Sequence, residues 1–170
     1  MIIAITGTPG VGKHSVAEKL RLRTGYEVLD VNRLLRKKHI KNISASELNK
    51  LVSPLLHQNM IVVSHLAHLL TSKKINLFIV LRCDPRILSR RLKRRGYSAG
   101  KIYANTMFET IDGEYIEAIE LHRNVIQFDN SSNISRTVDL IAKLIRGGTL
   151  RGDSVDYSSY LMQVGKSPRI

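Results

Sequence analysis

Gly7-Thr8-Pro9-Gly10-Val11-Gly12-Lys13-His14-Ser15 follows directly on the apolar run Met1-Ile2-Ile3-Ala4-Ile5. The pattern G-x-x-x-x-G-K is a phosphate-binding loop. Its glycines allow the tight turn that converges backbone N–H groups on phosphate oxygens, and Lys13 brings a point charge to the terminal phosphates. The surroundings fit, with a strand before the loop and a helix after it. From about Lys13 to Arg23, Val16, Ala17 and Leu20 fall on one side and Glu18, Lys19 and Arg21 on the other, so the spacing predicts a helix whose N-terminus faces the anion. One position departs from the pattern. The magnesium-ligating Ser or Thr of such loops follows the lysine directly, whereas here His14 stands there and the hydroxyl comes one place later, at Ser15.

Phosphoryl transfer asks for little covalent chemistry. It needs phosphates held in line, developing charge neutralised by Lys, Arg and Mg²⁺, and water kept out. The elements that must position such groups can be read from the rest of the chain. Five apolar, β-branched runs, Ile2 to Thr6, Glu27 to Val31, Met60 to Ser64, Asn76 to Arg82 and Val125 to Asp129, alternate with helical stretches. That alternation predicts a three-layer α/β/α fold around a five-stranded parallel sheet. Ligands of such sheets sit beyond the carboxyl ends of the strands. The candidate segments are therefore Asp30 to Lys38, Ser64-His65, Arg82, and Asp129 to Ser132, the last read equally as an adenine contact or as a plain turn.

Helix boundaries follow from local signals. Ser44-Ala45-Ser46-Glu47 is a capping box opening a helix through about His57, and Asp84-Pro85 opens another through Arg94. A long helical pattern runs from about Ser98 to Arg123, and a last amphipathic helix from Ile134 to Arg146 is closed by Gly147-Gly148. Residues 149–170 are polar and weakly patterned, so we expect one domain over 1–148 and a loosely held tail.

Composition narrows the function classes. A chain of 170 residues with 43% apolar content suits one α/β domain. No apolar run is long enough to span a membrane, and no signal peptide precedes the first strand, which points to a cytoplasmic protein. The single cysteine, Cys83, has no partner for a disulfide and reads as a small buried residue. Twenty-seven Lys plus Arg against fourteen Asp plus Glu leave a formal charge of +13, far beyond what one nucleotide requires, which suggests a polyanionic partner. Eight of the basic residues fall between Arg82 and Lys101. Of these, Arg90, Arg91 and Arg94 read as a solvated helix face. Glu109 to Glu120 instead holds five acids and no base, a differently charged helix face or a docking surface for something basic. His65 and His68 lie three apart, as a metal pair would, but the segment offers no third ligand.

Three segments together resemble the archaeal and nuclear branch of adenylate kinases, which is similar to the coilin-interacting nuclear ATPases that act in small ribosomal subunit maturation. They are the loop Gly7 to Lys13, the stretch Val28-Leu29-Asp30-Val31-Asn32-Arg33-Leu34-Leu35-Arg36, and Val80-Leu81-Arg82-Cys83-Asp84-Pro85 followed by Arg95-Gly96-Tyr97-Ser98. The resemblance spans roughly residues 1–146 and implies a P-loop nucleoside monophosphate kinase converting ATP and AMP into two ADP. With it come ATPase activity, magnesium delivered with ATP, and a part in 16S rRNA maturation alongside small-subunit rRNA and a small-subunit ribosomal protein. It places the triphosphate on Gly10, Gly12, Lys13, His14 and Ser15, the acceptor on about residues 30–53 with Arg36 and Asp30 at AMP, and a short lid over about residues 94–104. Arg95 would lie over the donor and His65 beside the phosphates, making Lys13, Arg95 and His65 the catalytic set and Ser15 an indirect magnesium contact. Arg36 as a solvent-facing arginine and His65 as a packed core histidine stand as the plainer alternatives.

Three residues depart from the family pattern. His14 follows the lysine, Val63 stands where the family has an Asp that holds magnesium through water, and Arg33 stands where it has an Asp near the start of the acceptor segment. These departures set a second reading beside the first: a nucleotide-binding RNA or ribosome assembly scaffold with weakened catalysis.

Overall fold

A computed structural model of the chain describes residues 1–164, with side chains to residue 162. At its centre lies β1 (Ile2–Thr6), buried at every position. Ile3 and Ile5 join one core cluster and Ile2 and Ala4 another. Successive side chains of a strand point to opposite faces, so a strand covered on both faces reads as continuously apolar, as this one does. Around it lie β2 (Glu27–Asp30), β3 (Met60–Val63), β4 (Leu77–Arg82) and β5 (Val125–Asp129), in the order β2-β3-β1-β4-β5 with every pairing parallel.

Helices cover both faces. Against Ile3 and Ile5 pack α1 (Lys13–Thr24), through Val16 and Leu20, and the later helix that carries Val138 and Ile141. Against Ile2 and Ala4 pack α2 (Val31–Lys37), through Val31 and Leu35, and α3 (Ala45–Val52), through Leu48 and Val52. Then come α4 (Pro85–Arg94), α5 (Ala99–Thr110), α6 (Gly113–Leu121), α7 (Ile134–Ile145), which is the helix of Val138 and Ile141, and α8 (Ser159–Val164). The architecture is the three-layer α/β/α sandwich that the alternation of strands and helices predicts. None of the described helices is long and apolar enough to cross a membrane.

Three local expectations need correction. The pattern from Ser98 to Arg123 is two helices, α5 and α6, separated at Ile111 and Asp112, where Asp112 takes a left-handed φ of 60°. The break has a cause: the Arg82 guanidinium donates to the Glu109 carbonyl at 2.8 Å and to Asp112 Oδ1 at 2.5 Å, capping α5 where it would otherwise continue. The capping box at Ser44 is present, but its helix stops at Val52 and continues only as a 3₁₀ turn over Ser53–Leu55, because Pro54 cannot donate into the helical ladder. Within the candidate segment Asp30 to Lys38, Asp30 caps α2 by accepting from the Arg33 N–H at 2.9 Å.

The tail is the third. Asp153 donates its N–H to the Gln127 carbonyl and accepts from the Asp129 N–H, both at 2.9 Å, along the outer edge of β5. The Arg136 guanidinium grips the Asp153 carboxylate at 2.9 and 2.7 Å, and the Tyr157 hydroxyl reaches Asp129 at 3.1 Å. Residues 149–157 are therefore strapped to the sheet rather than loosely held. Residues 165–170 lie outside the described residues.

Candidate active site

The loop between β1 and α1 turns through Gly7, Gly10 and Gly12 with φ of 136°, 102° and 105°, a region closed to other residues without strain. Space demands glycine as well. A Cβ on Gly7 would fall 2.4 Å from the Leu81 carbonyl oxygen, and one on Gly12 would fall 2.6 Å from Asn130 Nδ2. The loop thus wraps onto the ends of β4 and β5, and the first turn of α1, which carries no acid, opens onto a cavity of about 570 Å³.

The cavity gathers residues from well-separated parts of the chain. Gly10, Gly12, Lys13, His14 and Ser15 line it from the loop, Arg36 from α2, His65 from the end of β3, and Arg95 from the end of α4, with Tyr97 beside it. These are all but one of the site residues that the family resemblance implies. The exception is Asp30, which does not reach this cavity. It faces a neighbouring hollow with Arg33 and His14, where its carboxylate lies 3.1 Å from His14 Nε2. That contact also explains the odd residue after the lysine: His14 is half-exposed and turned toward the start of α2.

Lys13 is buried, and its Nζ donates to the carbonyls of Gly7 and Thr8. Burial lowers its pKa to about 8, even though Glu114 and Glu109 pull the other way, and Arg95 lowers it further. His65 is half-buried on the cavity wall, and burial and Lys13 both push its imidazole below the ordinary value. A neutral imidazole there can accept or donate a hydrogen bond without adding charge.

A second cavity of about 400 Å³ shares Gly10, Gly12, Ser15 and Arg95 with the first and adds Arg91, Asn130 and Ser132. Asn130 is buried, donates Nδ2 to the Val11 carbonyl at 2.8 Å, and has its Oδ1 without a hydrogen-bond partner among the described residues. Arg91 is no solvated residue. Its guanidinium binds the Asn130 and Ser131 carbonyls at 3.1 and 2.7 Å, tying α4 to the loop after β5. Arg90, Arg94 and Arg95 are exposed. Cys83 is buried as expected, and burial pushes its thiol up to about 12.

The acidic run Glu109 to Glu120 is not one surface. Glu109 and Glu114 are 1% and 5% exposed and sit beneath the phosphate loop. Glu109 accepts from Thr8 Oγ1 at 2.5 Å, Arg82 Nε at 2.8 Å and the Cys83 N–H at 3.0 Å. Glu114 accepts from the Thr6 hydroxyl and from the Gly7 N–H at 3.1 Å, with His68 Nδ1 at 3.0 Å. Ile111, Ile116, Ile119 and Leu121 are exposed instead. A docking face made of the whole run is thereby excluded, because its central acids are consumed inside. Arg82, counted in the sequence with the basic stretch, is buried as well and joins that network. One signal could have found these carboxylates: Thr6 and Thr8 alternate with glycine at a buried strand end, where each hydroxyl needs an acceptor. Among the described residues no three His, Cys, Asp or Glu side chains are grouped to hold a metal ion.

Comparison with known proteins agrees with this geometry. Residues 3–117 match a family model described as an AAA domain. A Pyrococcus furiosus protein named "Putative adenylate kinase" is 38% identical over 160 residues, covering 89% of this chain and 87% of the relative. An Archaeoglobus fulgidus protein of the same name is 39% identical over 152 residues, covering 86% and 83%. Among solved structures, a shikimate kinase from Acinetobacter baumannii superposes with a TM-score of 0.62 at 16% identity over 88% of this chain and 95% of its own. A deoxyadenosine kinase from M. mycoides superposes at 0.59 with 17% identity over 86% and 100%. These structural likenesses concern the fold, while the sequence relatives carry the family: this chain belongs to the adenylate kinase-like family of P-loop proteins.

Proposed function

We propose that the protein is an adenylate kinase, transferring the terminal phosphoryl group of ATP to AMP. The observation that carries this reading is the single cavity that brings Lys13, Arg36 and Arg95 together from the loop, α2 and the end of α4. In it the triphosphate lies on the loop N–H groups around Gly10 and Gly12 and the first turn of α1, and Lys13 exchanges its two carbonyl contacts for phosphate oxygens. The planar fork of Arg36 suits the acceptor phosphate, which two parallel N–H bonds can orient in line. Arg95 opens the segment 94–104, which acts as a short lid, and its guanidinium meets the charge that develops on the transferred group. His65, neutral and on the wall, orients the acceptor or a water without competing for charge. Asn130 and Ser132 line the second cavity, where the donor base has room.

The side chains present fit magnesium that arrives on the nucleotide. Ser15 lines both cavities and its hydroxyl would hold the ion, while the end of β3 offers Val63 rather than a carboxylate. A magnesium ion that keeps several waters and the phosphates as ligands needs no more than that from the protein, and it neutralises phosphate charge during transfer. The test is ADP formation from ATP and AMP by the purified protein. Lys13→Ala should abolish it, and Arg36→Ala should raise KM for AMP at least tenfold while leaving ATP binding unchanged. Turnover that survives Lys13→Ala rejects the assignment.

The charge favours a second role beside the first. A surplus of +13, with Arg90, Arg94 and Arg95 exposed along α4, supports a nucleotide-dependent contact with RNA, such as small-subunit rRNA in ribosome assembly, with ATP hydrolysis driving release. The apolar Val63 and the pairing of His14 with Asp30 suit the slow turnover of such a role. RNA affinity should then fall steeply between low and high salt, and a flat salt dependence removes this role.

A further inference from the structure

A carboxylate directly beneath an anion-binding loop opposes the loop's purpose, because like charges repel strongly in a poorly screened interior. Glu114 is placed in that way, at the first turn of α6 and 5% exposed. Two facts resolve the conflict. Its charge is cancelled locally: His68 Nδ1 lies 3.0 Å from its Oε1, and His68 Nε2 lies 3.0 Å from Glu117 Oε2. Burial opposes ionisation of both, yet the neighbouring carboxylates raise the His68 pKa, and His68, Thr6 and Lys13 hold the Glu114 carboxyl below its ordinary range. Its oxygen is also used up on the loop, accepting from the Thr6 hydroxyl and from the Gly7 N–H at 3.1 Å.

Those two donors mark the point where β1 becomes the phosphate loop. Gly7 turns there with a φ of 136° and has no space for a side chain against the Leu81 carbonyl. The orientation of the Thr6–Gly7 peptide sets the direction in which the following amides leave the sheet. Thr6 is the last paired residue of β1, opposite Val80, and the Gly7 N–H just beyond it is taken by Glu114, from a helix more than a hundred residues along the chain. Glu109 plays a related part at Thr8 but is shared with Arg82 and Cys83, so its loss would be felt first in folding.

We propose that Glu114 is a positioning residue for the donor nucleotide: by holding the Thr6 hydroxyl and the Gly7 N–H it fixes the path of the phosphate loop, and with it the affinity for the triphosphate. This rests on the reading of the loop as the ATP site, and nothing in it requires AMP to be the acceptor. The residue touches no substrate and acts only through the loop.

The test is calorimetric titration of MgATP into the wild type, Glu114→Gln and Glu114→Ala, with melting temperatures and ADP formation followed in parallel. Glutamine keeps an acceptor in the same place and should bind ATP within about twofold of the wild type. Alanine should weaken ATP binding about tenfold, as expected for the loss of one charge-assisted contact, and should raise KM for ATP with kcat changed less than about threefold. A Glu114→Ala protein that melts lower yet binds ATP as the wild type does would overturn the proposal, since its role would then be structural alone. Equal losses in both variants would overturn it too, by tracing the effect to charge instead of loop geometry. Should the alanine variant not fold, Thr6→Val removes one bond to the same oxygen without opening a cavity. It should cost about threefold in ATP affinity, and no loss counts against us. A wild type that binds MgATP but forms no ADP would refute the kinase reading alone, whereas a wild type that binds no ATP would refute both.

Discussion

Arg82 and Glu109 form a buried ion pair, and removing either half should cost nearly as much as removing both. Each side chain is 1% exposed, and the two meet at 2.8 Å. The guanidinium further binds Gln127 at 2.9 Å, the Glu109 carbonyl at 2.8 Å and Asp112 at 2.5 Å. Arg82→Met removes the positive charge and leaves the Glu109 carboxyl, which burial already pushes above its ordinary range, without its partner, while Glu109→Gln strands the guanidinium with the side-chain shape kept. Stranding one member of a buried pair costs about 3–5 kcal/mol. For a domain of this size each kcal/mol lowers Tm by about 2–4 °C, so each single change should lower it by roughly 6–20 °C. The double variant has no stranded charge and should cost little more than one single, which puts the coupling in a double-mutant cycle at about 3 kcal/mol. Because the pair is shielded from solvent, the coupling should be the same at 0.05 M and 0.5 M salt, unlike that of an exposed pair. Thermal and urea unfolding of the four proteins give the answer. Additive singles, or singles costing under about 1 kcal/mol, would show that the pair is not the keystone of the α5–α6 junction.

Two other outcomes are expected. With Lys13 lowered to about 8 in the nucleotide-free protein, the ammonium is present below that pH and lost above it, so kcat/KM for ATP should decline as pH rises past about 8; a profile level to pH 9.5 would contradict the burial of that lysine. Gly113→Ala would place a Cβ 2.2 Å from the Phe108 ring, an overpacking expected to cost about 1–3 kcal/mol in urea unfolding, and a neutral result would mean that the ring moves freely aside.

Much of the candidate site is legible in the sequence because its segments open where strands end. The loop and the segments that hold Arg36 and His65 follow from local pattern and the rule that ligands lie at the carboxyl edge, while Arg95 and the role of each side chain come only through the family resemblance. What stays hidden is long-range. Arg82 looks like part of a basic helix approach, and Glu109 and Glu114 look like a charged face, because the pairing that buries them joins segments 27 or more residues apart. Helical periodicity cannot reveal it either, since α6 turns Glu114 inward and Ile116 and Ile119 outward, the reverse of the usual amphipathic arrangement. Arg91 reads as solvated for a similar reason: its carbonyl partners lie some forty residues away, in the loop after β5.

The strap over residues 149–157 bears on the open edge of the sheet. A parallel sheet that ends in β5 presents a row of free backbone donors and acceptors to any other extended chain, an invitation to edge-to-edge growth. Here the Gln127 carbonyl and the Asp129 N–H are already taken by Asp153, and Gly152 passes so close that a Cβ would fall 2.7 Å from the Gln127 oxygen. The polar segment that reads as a loosely held tail is thus a selvage, finishing the edge of the sheet. A protein trimmed at residue 148 would keep every residue lining the two cavities and leave the outer edge of β5 open to another extended chain.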